Sequence, residues 1–300
     1  MTVDTTTQER RPSLAQLRAL VMIAQHGSFS AAALESDGSQ SALSHAIREL
    51  EEILGARVLE RGRLGARLTP LGARVLTHAR DALSSVEALE QEAMLERGGL
   101  RGTLRVVSLR SLGTHFLPRA LAQFRREYPQ VDIEFVNEPR PHHSMEHLVR
   151  DGRVDVALQE LRDAPDLLEY ELGRDEYALL ASSPARIASW AELVAHTVIV
   201  DAECSQRVFA EHSPLEPKQT VPIMEDSVIL GMVAGGLGVS VMPLLAAAPL
   251  PEGVYAQPLP DPLERRLGVV VTRRRLTVPV VRAFVDHLRA YAARHGLQKQ

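Results

Sequence analysis

Cysteine is almost absent from this 300-residue chain, where Cys204 stands alone. A single thiol excludes an internal disulfide framework and fits a reducing cytoplasm. Lysine is nearly as scarce, with only Lys218 and Lys299. Arginine therefore carries almost all the positive charge, which suits forked recognition of anions and base edges; a GC-rich genome gives the same bias. The N-terminal MTVDTTTQERRPS has no apolar core of signal-peptide type. The longest uncharged run, Ser227 to Pro251, is interrupted by Gly231, Gly235, Gly236, Gly238, Pro243, Pro249 and Pro251. It reads as a buried helix, turn and strand rather than a membrane span. No nucleophile elbow, phosphate loop or HExxH motif occurs, so no enzyme activity and no cofactor is expected. His143 and His147 stand four apart beside His142 but have no third ligand at matching spacing, since Glu146 points elsewhere on a helix. They read as a solvated helix face, and no metal is expected.

What is present is an ordinary balance for a globular chain, 45% hydrophobic and 24% charged with a net charge of -4. The length allows two or three compact units. Ser13 and Gln16 form a capping-box pair, and Leu14, Leu17, Val21 and Ala24 give the following helix its expected stripe. Gly27 ends that helix. Ser28 or Ser30 caps a second through Ala31, Ala32 and Ala33. Asp37-Gly38 is a turn signal, and Ser39 caps a third helix, QSALSHAIRELEEIL.

That third helix has two unlike faces. Leu43, Ile47, Leu50 and Leu54 make an apolar stripe at helical spacing. Gln40, Ser41, Ser44, His45 and Arg48 make a second face of short hydrogen-bonding groups and one guanidinium. Three short helices with a tight turn before the last form a helix-turn-helix pattern, whose third helix enters the major groove. Gln pairs there with adenine, Arg with guanine, and Ser with bases or phosphate. Ser39, Gln40, Ser41, Ser44, His45 and Arg48 are therefore the expected DNA contacts. Beyond Gly55, Val58-Leu59 and Arg67-Leu68-Thr69 read as strands around a turn at Gly62 to Gly65, a wing. Between Arg57 and Arg80 six arginines face Glu60 alone, and Arg61, Arg63 and Arg67 are the expected phosphate or minor-groove contacts.

These residues, in this order, resemble the DNA-binding domain of the LysR-type transcriptional regulators. The resemblance rests on Gly27-Ser28-Phe29, Ala32-Ala33, Ser39-Gln40, Ala42-Leu43-Ser44, Ile47, Leu50-Glu51, Leu54-Gly55, Glu60-Arg61, Leu68-Thr69 and Gly72. The chain departs from the family pattern at Ser41, usually Pro, and at Leu59, usually Phe. Ser36 and Gly38 stand where the family usually packs apolar side chains. Losing that packing costs on the order of 1–3 kcal/mol, and Leu34 is placed to rotate in as compensation.

Thr69-Pro70 reads as an N-cap followed by proline at the first helical position. Val75, Ala79, Ala82, Val86, Leu89 and Ala93 then repeat at heptad spacing. A helix from Thr69 to Glu96 would be roughly 42 Å long. The resemblance implies a homodimer through residues 70–97, and a homotetramer if the family pattern holds.

From Thr103 the pattern alternates strand and helix, as in an open α/β sheet. TLRVVSL, VDIEFV, VDVALQ, YALLAS, TVIVDA, TVPIM, VSVMP and GVVVTRRR read as strands. Phe116 to Tyr128, His142 to Arg150, SWAELV, QRVFAEH, SVILGMVAGG and Val278 to His295 read as helices. Gly102-x-Leu104-Arg105-Val106, Leu117-Pro118, Phe124, Tyr128-Pro129, Asp151-Gly152-x-Val154-Asp155, Val233-Ala234-x-Gly236-Leu237-Gly238-Val239 and Pro243 resemble the family's effector-binding domain. The resemblance implies a fold similar to periplasmic binding proteins. The expected organisation is a winged helix-turn-helix domain at 12–69, a linker helix at 70–97 and an α/β effector domain at 101–300. Its lobes are expected at about 101–160 plus 267–300, and about 163–265.

The first strand ends at SLRSLGTHF. A helix start there, with Arg110, Ser111 and Thr114, suits a small carboxylate. Asp201, Ala202, Glu203 and Ser227 form the facing rim, where Asp201, Glu203 and Asp226 instead suit a cationic or hydroxyl-bearing ligand. These seven residues, Arg110, Ser111, Thr114, Asp201, Ala202, Glu203 and Ser227, are the expected effector contacts. The whole reading is a cytoplasmic regulator that binds double-stranded promoter DNA and a small-molecule effector, with RNA polymerase a further candidate partner and no membrane involved. The rival readings are a solute-binding protein without a regulatory role, and a redox-sensing regulator acting through Cys204. Peroxide-sensing members of the family use a second cysteine, which this chain lacks.

Overall fold

The computed structural model describes residues 10–35, 39–62, 65–97, 99–136, 145–201 and 204–297. The chain divides into two compact units. The first holds the residues up to Gly99, with the short segments Asp151–Arg153 and Arg274–Pro279. The second holds Leu100–Arg150, Val154–Arg273 and the residues from Val280 on.

The first unit begins with α1 (Leu14–His26), α2 (Phe29–Leu34) and α3 (Gln40–Leu54). Its local signals act as their chemistry requires. Ser13 and Gln16 cap each other reciprocally at the start of α1. Gly27 ends α1 in the left-handed region, φ 71°, where a β-carbon is disfavoured. Ser28, not Ser30, caps α2, and Ser39 caps α3. The hairpin β1 (Leu59–Gly62) and β2 (Gly65–Leu68) follows, with Leu59 opposite Leu68 and Arg61 opposite Ala66. The long helix α4 (Pro70–Leu95) closes the unit, with Thr69 as its N-cap.

The core of this unit differs from the expected stripe in α1. Ala19, Leu20 and Ile23 are buried together with Gln16, whereas Leu14 is exposed and Leu17, Val21 and Ala24 pack at the margin. Several elements press on α1, namely α2, α3, α4 and β2, so its buried side is set by their positions rather than by a single stripe. Gln16 is tolerated inside because its amide is used. Its Oε1 accepts from the Ser13 N–H, and its Nε2 donates to Glu49 at 3.1 Å. In α3, Leu43, Ile47 and Leu50 are buried as expected, while Leu54 is partly exposed. Leu34 does not rotate in: it is 88% exposed. Ser36 and Gly38 lie outside the described residues. In α4 the heptad positions divide. Ala79 is buried in this unit's core, whereas Leu89 is 70% exposed and Ala93 is also exposed.

The second unit contains β3 (Gly102–Ser108), α5 (Arg110–His115), α6 (Leu117–Glu127), β4 (Val131–Phe135), α7 (Glu146–Arg150) and β5 (Val156–Glu160). β6 (Leu168–Ala181), α8 (Trp190–Leu193), β7 (Thr197–Asp201), α9 (Cys204–His212), β8 (Gln219–Ile223), α10 (Asp226–Ala234) and β9 (Ser240–Pro243) come next. The chain ends with α11 (Leu244–Ala247), β10 (Tyr255–Pro258), β11 (Glu264–Val271), α12 (Arg273–Leu276) and α13 (Pro279–His295).

Strand order β10-β6-β11-β5-β3-β4 forms the main sheet, with β9 also paired to β6. β3 pairs parallel with β4 and β5, and β11 runs antiparallel between β5 and β6. The long β6 therefore serves two lobes. Its first part pairs with β11, and its last part, Tyr177 to Ala181, pairs with β9 and β10. β7 and β8 make a separate parallel pair. Strand β6 starts nine residues before the expected Tyr177; Leu168, Tyr170 and Leu172 alternate with Glu169 and Glu171, a strand pattern that the expected bounds left out. The expected strand GVVVTRRR is likewise cut short. β11 ends at Val271 and Arg273–Leu276 turns into helix, which leads directly to the proline start of α13.

Candidate functional site

Two groups of predicted residues fall on separate units. On α3 the polar face is open. Gln40, Ser41, His45 and Arg48 are exposed and Ser44 is half-buried. Ser39 has two tasks. Its Oγ accepts from the Ala42 N–H at 3.1 Å and lies 2.7 Å from the Ser41 hydroxyl. It therefore fixes the first turn, and Ser41 is oriented by it. His45 Nδ1 lies 3.6 Å from Glu49, one turn on. Glu49 in turn accepts from Gln16 of α1. This polar face is thus tied at its C-terminal side to α1, while Gln40 and Arg48 are exposed.

The hairpin is attached to this helix by bonds that the sequence did not announce. Glu51 of α3 accepts from the backbone N–H groups of Val58 and Leu59 at 2.9 and 3.2 Å. Ala66 donates to the Gly27 carbonyl at 2.8 Å, and the Thr69 hydroxyl donates to the Arg57 carbonyl at 2.9 Å. Together these ties hold β1 and β2 against the end of α1 and the end of α3. Arg67 is exposed on β2. Arg61 sits on β1, and Arg63 lies outside the described residues. The apolar stripe supplies the signal for packing, but Glu51 reads in sequence as one more charge on a solvated face.

In the second unit, Arg110, Ser111 and Thr114 do fall together on α5. They differ in what they offer. Ser111 is only 5% exposed, and its Oγ accepts from Arg265 Nη2 at 3.1 Å. Arg265 lies opposite Asp175 in the β11–β6 register, and the two form a buried ion pair, with Nε and Nη2 both on Asp175 Oδ2 at 3.0 and 2.8 Å. The other oxygen of Asp175 accepts from the Leu245 N–H of α11 at 2.9 Å. One buried network thus joins α5, both crossing strands and α11. Thr114 is exposed, with its hydroxyl donated to the Arg110 carbonyl at 2.9 Å.

Arg110 itself reaches across to the start of α10. Its Nη1 lies 3.1 Å from Glu225 and 3.5 Å from Asp226, and Nη2 approaches the Met224 carbonyl at 3.5 Å. Ser227, on the same first turn, is exposed. Asp201 ends β7 and is buried, opposite Ile223 in register. Ala202 and Glu203 lie outside the described residues, and Cys204 opens α9. Glu225, Arg265 and Asp175 are the residues that sequence reading missed. Glu225 was legible as an acid at the start of a helix. The Arg265–Asp175 pair was not, because it depends on a strand register 90 residues apart. His147 is exposed on α7, while His142 and His143 lie outside the described residues. Among the described residues no three His, Cys, Asp or Glu side chains gather to hold a metal ion, and no helix is long and apolar enough to cross a membrane.

Comparison with known proteins agrees with this arrangement. Residues 14–73 match the model described as bacterial regulatory helix-turn-helix protein, lysR family. Residues 97–293 match the LysR substrate binding domain. The chain is 41% identical to the probable HTH-type transcriptional regulator LrrA of Synechococcus elongatus, over 93% of this chain and 97% of that protein. It is 29% identical to a probable hydrogen peroxide-inducible genes activator of Streptomyces viridosporus, over 88% of this chain and 89% of that one. Among solved structures, a full-length OxyR variant from Pseudomonas aeruginosa shares the fold with a TM-score of 0.73 at 24% identity, covering 93% of this chain and 95% of that one. The helix-turn-helix with its hairpin, the long helix and the two-lobed α/β unit are the parts of one known regulator, and the chain belongs to the LysR family of bacterial helix-turn-helix transcriptional regulators, with an effector-binding domain following its DNA-binding domain.

Proposed function

We propose that this regulator reads promoter DNA through Gln40, Ser41, Ser44, His45 and Arg48, with Ser39 fixing their turn and Arg61, Arg63 and Arg67 gripping the backbone. The observation that carries this reading is the open polar face of α3, opposite its buried Leu43, Ile47 and Leu50. We assign domain limits of 12–69, 70–97 and 101–300, with lobes at about 101–160 plus 267–300 and about 163–265. The effector lies in the cleft beside Arg110, Ser111, Thr114, Asp201, Ala202, Glu203 and Ser227. Ser111 contributes by positioning α5, since its hydroxyl is already held by Arg265. Dimers form through residues 70–97 and pair into tetramers. The regulator works in the cytoplasm, touches RNA polymerase at the promoter, and releases its effector unchanged. Its output depends on the effector binding one arrangement of the lobes more tightly than another.

The test separates the two kinds of DNA contact. Arg48→Ala is expected to lose about 1–3 kcal/mol of binding to the cognate site and to relax specificity there. Arg67→Ala is expected to weaken cognate and unrelated DNA alike and to lower the salt slope by about one. Equal effects of both variants on cognate and unrelated DNA would remove α3 as the reading element.

A further inference from the structure

We infer that Glu49 and Gln16 are positioning residues for base recognition: they turn the Nδ1 edge of His45 towards the protein and leave its Nε2 edge to meet the base pairs. This rests on the reading of α3 as the element that enters the major groove, and it adds to that element two residues that act through a third.

His45 Nδ1 lies 3.6 Å from Glu49 Oε1. An exposed pair at that distance is an ion-pair contact rather than a hydrogen bond, and alone it would restrain the ring little. Glu49, however, is itself restrained. Its other oxygen, Oε2, accepts from Gln16 Nε2 at 3.1 Å, a bond from α1 to α3. Gln16 is restrained in turn. Its Oε1 accepts from the Ser13 N–H at 2.9 Å, one half of the capping box that starts α1. Turning the amide over would set its NH2 group against that N–H and its oxygen against the Glu49 carboxylate. The amide therefore has one orientation, with its donor aimed at Glu49.

Restraint rises inward along this series. The side chains of His45 and Glu49 are 66% and 45% exposed, whereas Gln16 is buried. Behind them α1 and α3 share a core that includes Leu20, Ile23, Leu43, Ile47 and Leu50, and a packed core holds the two helices at a fixed spacing. The place of the Glu49 carboxylate is thus set from inside the unit, and it decides which edge of the ring faces the protein. A carboxylate only accepts, so the ring nitrogen turned to it is the one that carries a proton. Nδ1 is occupied, and Nε2 is the nitrogen left for a base edge. When docking removes water from around α3, the attraction between His45 and Glu49 strengthens, so the ring is held most firmly as it reads.

The charge of Glu49 separates this role from a structural one. A carboxylate on a helix that docks between phosphates weakens binding to every DNA sequence. If Glu49 only helped α1 and α3 to pack, neutralising it would tighten binding without changing which bases are chosen. If it positions His45, neutralising it loosens the choice of base at one position, even while binding to DNA in general tightens.

The experiment selects binding sites from randomised double-stranded DNA with the full-length protein and its variants, and compares base preference position by position. Melting temperatures are read in parallel. Glu49→Gln keeps an acceptor for Gln16 but sets an NH2 group against His45. Gln16→Glu keeps the acceptor for the Ser13 N–H but removes the donor to Glu49. Each is expected to lower preference by about fivefold or more at one base pair, the one at which His45→Ala also loses it. His45→Gln, whose amide reaches the place of Nε2, is expected to keep part of that preference. His45→Asn, whose amide reaches only the place of Nδ1, is expected to lose it. If Gln16→Glu melts early, Glu49→Gln, a change at a half-exposed side chain, decides the matter. Unchanged preferences in Glu49→Gln, or preference kept in His45→Asn and lost in His45→Gln, overturn the proposal while leaving α3 as the reading helix. An unmodified protein that selects no sequence overturns the proposal together with that reading.

Discussion

At the scale of single residues, the DNA-binding unit depends on close approaches that admit no side chain. A β-carbon at Gly72 would lie 1.9 Å from the Val58 carbonyl oxygen, and one at Gly65 would lie 2.3 Å from the Gly27 carbonyl oxygen. Both contacts are with backbone, which cannot swing aside. Gly65 also has a φ of 121°, which L side chains rarely adopt. Gly72 stands in the first turn of α4, where helix and hairpin meet, so its constraint comes from packing rather than from φ. Gly72→Ala is therefore expected to destabilise the unit by about 1–3 kcal/mol or more, read as a lower melting temperature. Gly55→Ala, with open space around its β-carbon, is expected to suffer only from its left-handed φ of 65°. If Gly72→Ala melts as the unmodified protein does, the hairpin is not seated on α4 as described.

At the scale of elements, capping chemistry was the most legible part of the sequence. Ser13 with Gln16, Ser39 and Thr69-Pro70 each start a helix where their side chains predict, because a cap is decided within four residues. Buried faces were less legible. The stripe of α1 shifted because four neighbours surround it, whereas the first part of β6 was legible in the alternation of Leu168, Tyr170 and Leu172 with Glu169 and Glu171 and was passed over. The cleft was half legible. Arg110 and Asp226 stand at element boundaries that the periodicity marks, whereas the Asp175–Arg265 pair emerges only when distant strands come into register. The heptad seam of α4 gives the clearest element-level test. Its Ala79 is consumed by the unit's own core, while Leu89 is 70% exposed and Ala93 is also exposed. A large apolar side chain left in water near the end of a long helix is suited to a partner helix. Leu89→Glu is expected to shift the protein from dimer to monomer in sedimentation, with the melting of each unit little changed. Unaltered association would move the dimer contact away from this part of α4.

At the scale of the whole molecule, the family assignment joins two chemistries on one chain. One unit presents an exposed guanidinium and amide on a helix, with an arginine on the adjoining strand. The other sets Arg110 of α5 against Glu225 and Asp226 at the start of α10. The net charge of -4 hides the local arginine excess between Arg57 and Arg80, because acids elsewhere in the same unit, on α3 and α4 among them, already offset it. DNA affinity is therefore expected to depend on a small basic surface and to be strongly salt-sensitive, even though the protein as a whole is acidic.

The most direct test is equilibrium binding of the full-length protein to DNA from upstream of its own gene, measured over a salt series against unrelated DNA of equal length. The account predicts a preference for the upstream DNA on the order of 10³ or more, with log affinity falling linearly and steeply as log salt rises. Binding to both DNAs with the same affinity and the same slope, for upstream regions that include the protein's own operator, would contradict the central claim that the polar face of α3 reads sequence.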